Sequence, residues 1–230
     1  DRGLTFFPDR STNTAKVDLN IAGSAVTNAF TGEATMYGKA EIFDAGGTRL
    51  NNATTFGIHN VIGSQNDDTI TGDRADNVIE GMDGADTMSG GEGGVDTLAY
   101  GRAPEGVGLL LQGAGTGLAV IGQSGHADGD RATDFDRLVL SAHDDSLNAR
   151  VAASDLPDGA ALPLADRPLM RVEAGAGPDT LLLGLGARVD ASLGAGADRI
   201  TVTGPGHAVS GDDGQDIFTL TDAPPVLVAG

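Results

Sequence analysis

The chain has 230 residues, room for one large domain or two small ones, with 36 glycines, no cysteine, no tryptophan and a formal net charge of −19. That charge argues against nucleic acid as a partner, since phosphate binding needs Lys and Arg patches, and the lack of cysteine excludes disulfides and thiolate metal sites. No apolar run reaches the roughly 18 residues of a membrane span.

Aromatic residues make up only 4% of the chain, too few for an ordinary core of this size. Acidic disorder is the plain alternative, but regularly spaced Ile, Leu and Val argue against it. Residues 1–57 alternate apolar and polar side chains, as in Val17-Asp18-Leu19-Asn20-Ile21, and read as a leading β segment. The first ten residues lack Met and a signal-peptide pattern. Leu4-Thr5-Phe6-Phe7 resembles Leu98-Ala99-Tyr100, so we expect the chain to begin inside a longer protein.

Residues 58–100 hold a short repeat. Counting in nines from Asp68 reaches Asn77 and Asp86, and one extra residue later Asp96. Two positions beyond each stands an apolar residue: Ile70, Ile79, Met88 and Leu98. The phrase is a glycine-rich turn, an acidic side chain and a very short strand. A period this short builds a solenoid, each strand giving one side chain to a thin interior.

Residues 101–170 form an intervening β segment with a polar loop at 124–131. Its Asp128-Gly129-Asp130 reads as a solvated turn, and 156–170 reads as a connecting loop broken by Pro157, Pro163 and Pro168. Residues 135–147 match 58–70, with Asp144 and Asp145 standing against Asp67 and Asp68. Tyr37-Gly38-Lys39-Ala40 likewise echoes Tyr100-Gly101-Arg102-Ala103. Residues 171–230 hold a second, looser block whose turns end at Asp179, Asp198 and Asp216. Midway between them fall Arg188 and His207, poor ligands for a hard cation. Leu181, Ile200 and Phe218 should face the core, with Val189 and Val209 from the opposite strands.

The repeat suits calcium. Its glycines allow positive φ and close approach of neighbouring backbones, so that their carbonyls are exposed as hard donors. Each turn adds a carboxylate, and calcium takes six to eight such oxygens. The expected ligands are the side chains of Asp68, Asn77, Asp83, Asp86, Asp96, Asp179, Asp198, Asp213 and Asp216, with backbone from Gly84, Gly93, Gly177, Gly196 and Gly214. Asn77 is neutral, so its flank should bind less tightly. Pairing stacked turns gives about four ions, two on opposite flanks of the first block and two in line along the second.

Residues 63–98 and 174–218 resemble the repeat-in-toxin, or haemolysin-type, calcium-binding nonapeptides. The resemblance implies an all-β fold: a parallel β-roll or β-solenoid of right-handed coils with few or no helices. It also implies type I export from a bacterium and folding outside the cell when calcium is met. H-E-x-x-H and G-x-S-x-G are both absent, and His59, His126, His143 and His207 are scattered and read as surface or turn residues. Repeated acidic turns suggest a scaffold rather than an enzyme. Three roles stay open. One is a structural adhesin, surface-layer-like lattice or filament, partnered by itself or by polysaccharide. Another is the export and folding module of a secreted toxin or enzyme. The last is a polysaccharide-acting β-helix enzyme, which the scattered 14 Lys and Arg disfavour. The C-terminal stretch, Thr221 to Gly230, reads as the apolar end of an export signal, as an edge strand leading into a further domain, or as an end left by proteolysis.

Overall fold

The computed structural model describes residues 4–6, 16–27, 34–43, 49–56, 58–114, 117–150, 168–221 and 227–229. Strand follows strand, and the one helical element among the described residues is a 3-10 turn, Gly125–Ala127. The fold is an all-β solenoid with two long faces.

The leading segment holds β1 (Leu4–Phe6), β2 (Lys16–Thr27), β3 (Ala34–Phe43) and β4 (Arg49–Phe56). The nonapeptide region follows with β5 (Ile58–Ile62), β6 (Thr69–Thr71), β7 (Val78–Glu80), β8 (Thr87–Ser89) and β9 (Thr97–Ala99). Next come β10 (Gly108–Ala114), β11 (Gly117–Ser124), β12 (Arg131–Thr133), β13 (Arg137–Val139) and β14 (Ser146–Ala149). The second block contributes β15 (Leu169–Glu173), β16 (Thr180–Leu183), β17 (Arg188–Ser192), β18 (Ala195–Gly196) and β19 (Arg199–Thr203). It ends with β20 (Ala208–Ser210), β21 (Asp213–Gly214), β22 (Ile217–Thr221) and β23 (Leu227–Ala229).

In the repeat blocks, successive strands alternate between two sheets, apart from β18 and β21, which pair with each other. One runs β1-β5-β7-β9-β13-β15-β17-β20-β23, parallel throughout. The other runs β22-β19-β16-β14-β10-β11-β12-β8-β6-β2-β3-β4. Three-residue strands suffice because each needs only one inward side chain. Val61, Ile79, Leu98, Leu138, Val172, Ala191 and Val209 stack in one sheet. Ile70, Met88 and Ala132 stack opposite them, and further along so do Leu147, Leu181, Ile200 and Phe218. Apart from the half-buried Phe218, all of these are buried, and they form one continuous core. The expected inward residues of both blocks therefore face inward.

The intervening segment is not a linker. From β9 the chain runs into β10, returns antiparallel as β11, and pairs β12 in parallel with β8. Only then does β13 settle beside β9, and β14 beside β10. Glu80, itself buried, accepts a hydrogen bond from Arg102 N at 2.7 Å and ion-pairs with the Arg102 side chain, which ties this insertion to the first block. β2, β3 and β4 are arranged against β6 as β10, β11 and β12 are against β14. The longer sequence repeat thus has a structural counterpart, with Val61 and Leu138 in one column. Two details of it need correction. Phe6, not Leu4, shares the column of Leu98, because β1 carries a register shift after Leu4. The echo of 37–40 in 100–103 is not structural, since the first lies within β3 and the second in a turn. The expected connecting loop lies mostly at 151–167, outside the described residues; β15 has begun by Leu169.

Candidate metal centre

The acidic turns line up into ladders along the solenoid. Asp68 N donates to Asp86 Oδ1 at 2.7 Å, and Asp86 N donates to Asp130 Oδ1 at 2.8 Å. On the same flank, from the intervening segment into the second block, Val107 N donates to Asp145, Asp145 N to Asp179, Asp179 N to Asp198, and Asp198 N to Asp216, at 2.7 to 3.1 Å. The other flank carries Asn77, Asp96 and Asp136, linked at 2.8 and 3.1 Å. One carboxylate oxygen thus receives the backbone N–H of the turn before it in the stack.

The second oxygen is what distinguishes these turns. In Asp86, Asp179 and Asp198, Oδ2 is buried and receives no hydrogen bond. An unpartnered buried carboxylate oxygen is costly, and these three, one in the first ladder and two in the second, mark where positive charge is missing. Asp68 and Asp145 begin the two ladders differently. A serine four residues upstream closes each: Ser64 N and Oγ donate to Asp68 at 2.5 and 3.1 Å, and Ser141 N and Oγ donate to Asp145 at 2.8 and 2.7 Å. Asn77 is satisfied in its own way. Its Oδ1 accepts from Asp73 N at 2.7 Å, while its Nδ2 donates to His59 O and Asp73 Oδ1 at 3.1 and 3.2 Å.

Burial raises several of the ladder carboxyls, and neighbouring aspartates add to it. Asp86 is pushed up to about 9, by desolvation first and then by Asp130, Asp68 and Asp67. Desolvation also lifts Asp179 to about 7, with Asp145 and Asp198 adding repulsion, and Asp96 to about 6, beside Asp136. Asp145 and Asp198 move the same way. At neutral pH metal-free Asp86 resists ionisation and Asp179 is only about half ionised, a state a divalent ion reverses.

The glycines explain how the turns stack so closely. A Cβ on Gly63 would lie 2.3 Å from Gly81 O, and one on Gly196 would lie 2.1 Å from Gly177 O. Gly84 and Gly177 also have positive φ and press on the backbone of the turn beneath. The spaces between turns are therefore edged by backbone carbonyls and one carboxylate per turn. Among the described residues, no three acidic or histidine side chains converge on one point. Calcium does not need them to, because backbone carbonyls fill its shell. The residues present fit calcium: hard oxygen donors, orphaned carboxylate oxygens and no thiolate.

The ladder contains Asp68, Asn77, Asp86, Asp96, Asp179, Asp198 and Asp216, with Gly84, Gly177, Gly196 and Gly214 between stacked turns. Asp83, Asp213 and Gly93 are exposed at the rim of their turns, not in the ladder. Sequence reasoning missed Asp130 and Asp136 and undervalued Asp145. Asp130 is fully enclosed rather than a solvated turn residue, because β12 draws it against turn 81–86. Each of the three stands two residues before an inward Ala132, Leu138 or Leu147, which is the signal that could have found them.

His207 is also corrected. It is 3% exposed, not a surface residue, and it occupies the ladder position itself: Val189 N donates to its Nδ1 at 3.2 Å, and its Nε2 donates to Gly184 O at 2.9 Å. Arg188 is out of register, because Val189 and Met170 fill that column as core. A neutral imidazole thus replaces a carboxylate and its cation. His207→Ala leaves two buried backbone groups unpaired and should cost about 2–4 kcal/mol. Denaturant unfolding in saturating calcium would measure this, with the number of bound ions unchanged.

A parallel two-sheet roll with stacked Gly-Asp turns defines a calcium-binding β-roll. Residues 62–98 match the family model of the RTX calcium-binding nonapeptide repeat (4 copies), and this stretch is such a repeat block. No curated protein matches the chain. The described residues hold no helix long and apolar enough to cross a membrane.

Proposed function

We propose that this calcium-binding β-roll is a segment of a secreted bacterial structural protein of the cell surface or extracellular space: an adhesin, surface-layer-like lattice or filament. The observation that carries it is the set of buried, unpartnered Oδ2 atoms on Asp86, Asp179 and Asp198 in the two ladders. A fold left incomplete without cations suits a chain exported unfolded into millimolar calcium, where ion binding stabilises it by mass action. The turns repeat one donor set, which favours a scaffold over an enzyme, with calcium as the ligand and a second copy or polysaccharide as the wider partner.

A second reading is the export and folding module of a secreted toxin or enzyme whose catalytic part lies outside this chain. The RTX repeat block favours it equally.

Far-ultraviolet circular dichroism at pH 7.5 tests the shared core of both. We expect a disordered spectrum in EDTA and a β spectrum in millimolar calcium. Identical spectra would remove the calcium-dependent fold. Concentration-dependent assembly in calcium then separates the structural reading, which requires it, from the export module, which does not.

A further inference from the structure

The loop between β11 and β12 lies outside the repeat phrase, yet it stacks on turn 81–86 as that turn stacks on turn 63–68. Arg131 N donates to Asp86 O at 2.8 Å, as Thr87 N does to Asp68 O at 2.8 Å. Asp130 Oδ1 receives Asp86 N at 2.8 Å, as Asp86 Oδ1 receives Asp68 N at 2.7 Å. Gly129, at φ +89°, packs on Ala85, as Gly84, at φ +119°, packs on Asn66. A non-repeat sequence here imitates a calcium turn.

Two independent features point to a ligand at this junction. Asp86 is 0% exposed, and its Oδ2 has no donor. Asp130, also 0% exposed, brings a second carboxylate over the same residue. Two enclosed carboxylates stacked in this way repel when both are ionised, unless a cation lies between them. Tyr100, buried in the core, donates its hydroxyl to Asp130 Oδ2 at 2.9 Å and fixes that carboxylate in place.

We infer that the junction of turn 81–86 with loop 125–130 is a further calcium site, held by the carboxylates of Asp86 and Asp130 and oriented by Tyr100. It rests on the calcium-binding reading above and extends the ion ladder beyond the repeat block onto the inserted hairpin. The site also gives the insertion a purpose: it locks β10 and β11 onto the first block only when calcium is present.

The test counts ions bound to the full chain by calorimetry and by terbium substitution. The chain has two tyrosines, Tyr37 and Tyr100, and no tryptophan, so terbium emission excited through tyrosine and lost in Tyr100→Phe reports ions near Tyr100. Asp130→Asn keeps the shape and the contact with Asp86 N. It should bind one ion fewer and lose most of the Tyr100-dependent emission while keeping its β spectrum in calcium. An unchanged ion count would overturn the site. If Asp130→Asn does not fold, wild-type protein decides: terbium emission equal to that of Tyr100→Phe overturns the inference. Failure to bind calcium anywhere would sink the calcium reading as well, whereas loss of this site alone leaves it standing.

Discussion

Gly81→Ala is expected to lower stability by about 3 kcal/mol or more, even in saturating calcium. A Cβ there would lie 1.9 Å from Asp86 Oδ2. Asp86 cannot swing aside, because its Oδ1 holds Asp68 N. Either the turn opens or the ladder bond breaks, and both routes remove the oxygen meant for calcium. For a chain of this size, the loss corresponds to a fall in Tm of roughly 6–12 °C. Gly101→Ala is the matching control. It has ordinary φ and nothing within 4 Å of its Cβ, so it should stay within about 0.5 kcal/mol of wild type. Thermal unfolding of the two variants side by side in millimolar calcium checks the contrast. Equal melting temperatures would show that the turns do not stack this tightly.

The metal-free fold should also depend on pH in the direction opposite to most proteins. Asp86 at about 9, Asp130 and Asp179 at about 7, and Asp96 at about 6 all lie above the ordinary aspartate value of 3.8. The folded state therefore holds more protons than the unfolded one between roughly pH 4 and 9, and stability falls as pH rises through that window. Without calcium, β structure should be greatest near pH 4, where Asp86, Asp130, Asp179 and Asp96 are protonated, and least near pH 9. Calcium requires the ionised form, so its effect runs the other way, negligible near pH 4 and largest near pH 8–9. Circular dichroism across this range, with EDTA and with calcium, reads both trends. A metal-free fold that strengthens from pH 5 to 8 would contradict the buried ladder.

Much of this was legible because a nine-residue period fixes both the inward residue and the acid two positions before it. Ile70, Ile79, Met88 and Leu98 fell into place with Asp68, Asn77, Asp86 and Asp96 on that count alone. The count failed where the chain inserts a hairpin. Asp130 lies 44 residues from Asp86, and Asp145 lies 38 from Val107, yet each pair stacks directly. Strand pairing of β12 with β8 and of β10 with β14 decides those neighbours, and no local spacing encodes it. His207 escaped for a different reason. Its place in the pattern is visible, but an imidazole reads as a poor calcium ligand, and only its two backbone partners show it to be a hydrogen-bonding substitute for one. The serine closures at Ser64 and Ser141 likewise depend on a four-residue ring that only the backbone reveals.

The most direct measurement is a crystal structure of the calcium-loaded chain with anomalous density collected at long wavelength. Density is predicted between the stacked turns at Asp86, Asp179 and Asp198, with none beside Met170, Val189 or His207. The same ordered roll with no ion at any of those three aspartates would contradict the view that calcium completes this fold.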